Sequence, residues 1–307
     1  MPLVYGQALS FSPLLYRRRE RWNDVRNVLV GDVVQPRSAA DETPERLDSY
    51  ARRLDEAFWL AGERLADMRL DALVVLVADD RRTFDDSNTP QLHVFAGYEI
   101  WGDPARADLG EDGDPLVFHC NARVAAHVAE ELTREGFDVS ETRGTFAPAG
   151  DPQRGVVPAL VEPLRRFAVD VPIVPIHINC HVEPNISGLR MTPFGEALAR
   201  SLDLIPLRVG VLASGGLSGQ PGDAMAGWID DVLDTWVLGR LNTGRSAHLG
   251  RIFDVRSQLL RGSTREIRLW AAAGAACEDA GLLPRVDEYI PLHHAAAGIG
   301  FMHWRSD

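Results

Sequence analysis

Three short apolar runs, each about the length of a buried strand, recur with amphipathic stretches between them, and that alternation restricts the chain more than any other feature. The runs are residues 73–78 (LVVLVA), 171–176 (VPIVPI) and 207–213 (LRVGVLA), with a shorter fourth at 116–119 (LVFH). Continuous apolar runs bounded by turn residues are what parallel strands covered on both faces look like. Residues 44–68 place Leu47, Tyr50, Ala51, Leu54, Phe58 and Leu65 on or near one helical face. Residues 122–135, 187–202 and 224–239 read as helices in the same way. The expected class is α/β, one domain over 1–307, with helices on both faces of an open sheet. Segments 101–115 and 142–154, rich in Gly, Pro and Asp, read as surface loops. After about residue 240 the pattern is largely helical, up to a loop at 291–300.

The chain has 307 residues and a formal net charge of −12, which argues against a nucleic-acid or anionic-membrane surface. All 32 basic residues are arginine. Without lysine, Schiff-base chemistry and a Walker-type phosphate loop are excluded. The three cysteines, Cys120, Cys180 and Cys277, form no CxxC pair and suggest neither a zinc knuckle nor a disulfide framework. The opening residues lack the basic-then-apolar order of a signal peptide, and no apolar run approaches a membrane span. A cytoplasmic protein is expected.

Ligands of open α/β sheets gather at the carboxyl ends of the strands. After 73–78 come Asp79, Asp80, Arg81 and Arg82, opposite charges that a solvated turn would also explain. After 207–213 comes Ser214-Gly215-Gly216-Leu217-Ser218-Gly219, whose amides suit an anion or oxyanion, although the spacing matches neither GxGxxG nor GxSxG. His177, His181 and Glu183 carry the donor types of a metal site, but no recognised spacing; core or interface histidines are the plainer reading. His293 and His294 sit in a small-residue loop, and histidine is the usual proton-transfer residue near neutrality.

In chain order, LSFSP, LVVLVADDRRTFDDSNTPQ, VPIHINCHVEPNISGLR, LASGGLSGQ, STREIRLW and YIPLHHAAAGIG make the sequence resemble the class III extradiol ring-cleavage dioxygenases, of the protocatechuate 4,5-dioxygenase catalytic-subunit (LigB-like) type. The resemblance covers most of residues 5–300 and implies a single-domain α/β/α sandwich. It also implies Fe(II) held by two histidines and a glutamate, with two more histidines for acid/base and oxygen-activating roles. Glu266 matches the metal glutamate. The four histidines do not match: their positions fall on Phe11, Arg81, Arg154 and Gly219.

Phenylalanine offers no donor atom, and a guanidinium stays protonated. The resemblance therefore implies an enzyme without the family's iron, acting on a small aromatic or ring-derived carboxylic acid by acid/base chemistry. Hydrolysis, decarboxylation, tautomerisation and C–C cleavage all remain open. Expected catalytic residues are His293, His294 and Glu266. Expected substrate-binding residues are Arg81, Arg154, Gly216, Ser218 and Asp80, with the amides of residues 215–218 as oxyanion donors. No metal ligand and no cofactor are expected, with Fe(II) as the alternative. Two other readings stand beside this one: a non-catalytic partner subunit of a dioxygenase, and an active dioxygenase with a relocated metal built from Glu266 with His293, His294 or His177. A homo-oligomer, or a hetero-oligomer with a related subunit, is expected.

Overall fold

The computed structural model describes residues 2–79, 83–84, 88–103, 115–144, 155–220, 224–254 and 260–306. In chain order the elements are β1 (Leu3–Leu9), α1 (Trp22–Val30), α2 (Pro44–Asp67), β2 (Ala72–Val77), β3 (Leu92–Phe95), β4 (Glu99–Gly102), β5 (Leu116–His119) and α3 (Ala122–Arg134). They continue with β6 (Val139–Thr142), α4 (Pro158–Arg166), β7 (Ile173–Ile178), α5 (Met191–Asp203), β8 (Val209–Ser214), α6 (Asp231–Leu241), α7 (Ile267–Asp279), β9 (Leu283–Leu292) and β10 (Ala297–Arg305).

The main sheet runs in the order β6-β3-β7-β2-β8-β1-β10-β9. Its centre, β7-β2-β8-β1, is parallel. Strand period two divides the apolar residues between two layers. Ala72, Val74 and Leu76 of β2 join Val124, Phe194 and Trp270, from α3, α5 and α7, in one core. Leu73, Val75 and Val77 join Trp22, Leu54, Phe58 and Leu160, from α1, α2 and α4, in the other. The result is the expected α/β/α sandwich. No helix among the described residues is long and apolar enough to cross a membrane.

Helix α2 shows the local logic. Thr43 caps it by accepting the Arg46 amide at 3.3 Å, and Pro44 occupies the first turn, where an N–H has no partner to lose. Its buried face is Leu47, Tyr50, Leu54, Ala57, Phe58, Ala61 and Leu65. Each large side chain buried there is worth roughly 1.5–3 kcal/mol.

Three features depart from the sequence reading. The stretch 291–300 is not a loop: β9 and β10 form an antiparallel pair, turning through a 3-10 segment at His293–Ala295. Small residues (Ala297, Gly298, Gly300) disguise β10, while β9 mixes charged and apolar positions as an edge strand does. Strand β5 stands where expected, but pairs only with β4 in a separate two-stranded sheet. Helix α6 begins at Asp231 rather than 224, because residues 224–227 are turns and Asp230 caps the helix through Leu233 N at 2.9 Å.

On the α2/α4 face, His177 of β7 lies opposite His93 of β3, with their Nδ1 atoms 3.2 Å apart. His93 Nε2 hydrogen-bonds with Thr142 Oγ1 at 2.9 Å, and Phe84 packs edge-on to both rings. Burial disfavours their charged forms, lowering His93 to about 2 and His177 to about 4. Stability from these depressed values is present above the ordinary 6.5 and lost as pH falls below it toward the folded values. The urea midpoint of the wild type should therefore fall between pH 7 and 4.5. A His93→Leu/His177→Leu variant should show a clearly shallower fall; an equal decline would show that the pair does not set it.

Candidate functional site

The carboxyl ends of β1, β2, β7 and β8 meet one another, and Glu266 reaches this end from a 3-10 turn (Gly262–Glu266) leading into α7. Its two oxygens are both engaged. Gly216 N–H donates to Oε2 at 2.9 Å, and His181 Nε2 lies 2.7 Å from Oε1. Both side chains keep partial solvent contact, 24% for His181 and 17% for Glu266. Arg265 Nη1 donates to the His181 carbonyl at 2.8 Å and holds that strand exit in place. The triplet His177, His181 and Glu183 is split. His177 is in the core, and its Nε2 has no hydrogen-bond partner among the described residues. His181 turns to Glu266, and exposed Glu183 bonds Asn185.

The amides after β8 are all committed. Gly215 N donates to Leu9 O (3.0 Å), Leu217 N to Ser10 Oγ (2.9 Å) and Gly219 N to Thr264 Oγ1 (3.1 Å). Ser218 N donates to Asp234 Oδ1, and Ser218 Oγ to Asp234 Oδ2, both at 2.8 Å. The amides of residues 215–218, expected as donors to a substrate oxyanion, donate instead to protein groups, which stabilises the loop. Gly216 is instead the seat of Glu266. Ser218 joins β8 to α6 and also accepts Asp230 N at 2.9 Å.

Asp234 receives a further hydrogen bond from Tyr289 O–H at 2.9 Å. Burial, opposed by these donors, raises its carboxyl to about 6. Gly298 admits it, since a Cβ there would collide with Asp234 Oδ2.

His293 and His294 sit on the β9–β10 turn, not beside Glu266, and both are bound to Glu42. Their backbone N–H groups donate to Glu42 Oε1 and Oε2 at 2.6 and 3.0 Å. His293 is buried and donates Nδ1–H to Gly227 O at 2.7 Å. His294 pairs with Glu42 through Nδ1. The same turn touches the segment that follows β1, where Ser12 Oγ donates to Ala295 O at 3.0 Å. Asp80, Arg81 and Arg154 lie outside the described residues.

The described residues do not fit the two-histidine, one-carboxylate iron set that the resemblance implies. Phe11 brings no donor and stacks on Tyr16 at 5.8 Å, while both Glu266 oxygens hold hydrogen bonds. Among the described residues no group of three or more His, Cys, Asp or Glu is placed to hold a metal ion. Gly219 also has no room for a side chain: a Cβ would collide with the Ala296 carbonyl oxygen and stand 2.9 Å from Ser263 Oγ.

Residues 38–300 match the family model described as the catalytic LigB subunit of aromatic ring-opening dioxygenase. The chain belongs to this LigB family. Among its relatives, a 2,3-dihydroxyphenylpropionate/2,3-dihydroxicinnamic acid 1,2-dioxygenase of Paraburkholderia xenovorans (strain LB400) is 32% identical over 192 residues, 62% of this chain and 56% of that protein. The similarly named protein of Rhodococcus jostii (strain RHA1) is 30% identical over 168 residues, 55% of this chain and 49% of that one. The chain thus spans about half the length of the curated relatives it matches. The crystal structure of an uncharacterized protein from Escherichia coli K12 shares the fold of this LigB-family chain. Its TM-score is 0.54 at 12% identity, covering 98% of this chain and 99% of that one.

His181 and Glu266 are each visible in the sequence, but their pairing across 85 positions is not. Asp234 carried no signal at all, being one acidic residue in an acidic helix.

Two stability effects follow. Asp234→Ala strands the Ser218 N–H, Ser218 O–H and Tyr289 O–H and should cost about 3 kcal/mol or more in urea unfolding, at ~1–3 for each of these groups. Gly219→Ala should cost about 1–3 kcal/mol through overpacking against Ala296. A neutral result for either would contradict the packing described.

Proposed function

We propose that this LigB-family protein is an enzyme of aromatic-compound metabolism. In this reading it acts on a small aromatic or ring-derived carboxylic acid by acid/base chemistry, without the family's iron set. The observation that carries the reading is the Glu266 carboxylate bonded to His181 and to the Gly216 amide, with Phe11 at the exit of β1. A carboxylate that accepts from one imidazole nitrogen fixes the ring and stabilises its cation, the arrangement a proton-transferring histidine needs. The relatives' names support a carboxylated aromatic substrate, since dihydroxyphenylpropionate is one. Arg81 and Arg154 are the proposed partners of that carboxylate, for which a guanidinium fork is well shaped.

His294 is the second candidate base. With Nδ1 on Glu42, its Nε2 is the nitrogen left for proton transfer. His293 serves as a positioning residue, holding Gly227.

Solvent-deuterium incorporation into ring-derived 2-oxo and enol acids, followed by NMR with a chelator present, tests the proposal. The wild type should exchange, and His181→Ala and Glu266→Gln should each lower the rate by about 10²–10⁴. Ring cleavage of 2,3-dihydroxyphenylpropionate that depends on added Fe(II) and consumes oxygen would replace this reading with an active dioxygenase. No exchange, together with a stable mixed oligomer with a histidine-bearing relative, would replace it with a partner subunit.

A further inference from the structure

A cleft of about 640 Å³ opens between α6 and the turn that carries Glu266. Its apolar lining is Met225, Trp228, Ile229, Leu233, Ile252 and Leu260. Ser218, Gly219 and Thr264 also line it. The volume and the apolar lining with a few polar groups are those of a small-molecule site.

The Trp228 wall is built rather than loose. Trp228 Nε1–H donates to Val34 O at 2.8 Å, and Gln35 Nε2 donates to Ala226 O at 3.0 Å. His293 holds Gly227 O from the other side. Gly227, at φ +84°, lies so close to Gln35 that a Cβ would collide with it. Trp228 and Met225 nonetheless keep 40% and 44% of their surface exposed, a sizeable apolar face held open. Ser218 and Thr264 spend their side chains on Asp234, Asp230 and Gly219. The cleft therefore offers few uncommitted polar groups for a neutral polar ligand.

Among the described lining residues the charge is one-sided. Asp230 and Asp231 line the cleft, and no Arg or His is among the described lining residues. The Asp230 carboxylate is fixed at the start of α6 by the Leu233 amide. Two carboxylates exceed the roughly half positive charge of the helix terminus, so the cleft favours a cation and repels an anion.

We propose that this cleft binds an aromatic or alicyclic ring carrying a protonated amine, the ring against Trp228 and Leu233 and the amine toward Asp230 and Asp231. This goes beyond the acid/base reading and does not depend on it, because binding here needs neither Glu266 nor His181.

Calorimetric titration with tryptamine and with indole-3-propionate, which differ chiefly in the charge at the chain end, tests it. Tryptamine should bind at least about tenfold more tightly than indole-3-propionate, and Asp231→Asn should weaken tryptamine severalfold. Leu233→Trp, filling the cleft, and Trp228→Ala, removing its wall, should each lower tryptamine affinity at least about tenfold, with unchanged thermal midpoints showing both variants folded. Glu266→Gln should leave binding intact, so failure of the catalytic reading cannot be mistaken for failure of this one. Absence of tryptamine binding, equal affinity for the anion, or indifference to both cleft variants would overturn the proposal.

Discussion

The contact of Glu266 with the glycine pair after β8 organises the carboxyl end of the sheet. Gly215 and Gly216 carry positive φ angles, 141° and 65°, and a Cβ at Gly215 would stand 2.5 Å from Glu266 Oε2. Only glycine lets the carboxylate come this close to the backbone. Once it is there, the Gly216 amide and His181 complete its hydrogen bonding, and Trp270 Nε1–H donates to Gly215 O at 2.6 Å, tying α7 to the same loop. The loop's remaining amides are turned to β1 and the residue after it, to β10, to α6 and to Thr264 of the turn before α7, so the end of β8 acts as a hub and not as an open cradle.

This hub ties the strand exits of the family frame together. The glycine loop is held by backbone groups at the very positions where the resemblance expects histidines: Phe11 N donates to Gly216 O at 3.2 Å, and Gly219 N donates to Thr264 Oγ1 at 3.1 Å. Ser10 Oγ, next to Phe11, accepts both Leu217 N and Gly300 N. The serine before the first metal-histidine position therefore has a structural role of its own. Gly219 is packed on Ala296, so the β9–β10 turn occupies space that a side chain at this position would need.

The central strands were legible because burial on both faces leaves unbroken apolar runs, and α2, α3 and the body of α5 followed from helical period, while the expected start of α5 at 187 is a 3-10 turn. Strand β1 was hidden by Gly6 and Gln7, and β10 by its small residues; their pairing depends on neighbours distant in sequence. At the site, Glu266 was found through its motif, and the β8 loop through its glycines. What the loop does with its amides was not legible, because that depends on Ser10, Thr264 and Asp234 arriving from elsewhere. The His293–His294 pair drew notice as titratable groups, but Glu42, some 250 positions earlier, decides how they are held.

Nitrogen-15 NMR of the His181 ring and the Gly216 amide, recorded before and after an equimolar diamagnetic divalent metal, tests the central claim most directly. The account predicts a hydrogen-bonded His181 Nε2–H and a Gly216 amide that both survive the addition unchanged, since Glu266 is held by protein groups. Loss of the ring N–H signal with stoichiometric metal uptake would contradict it, placing Glu266 and His181 in a metal site instead.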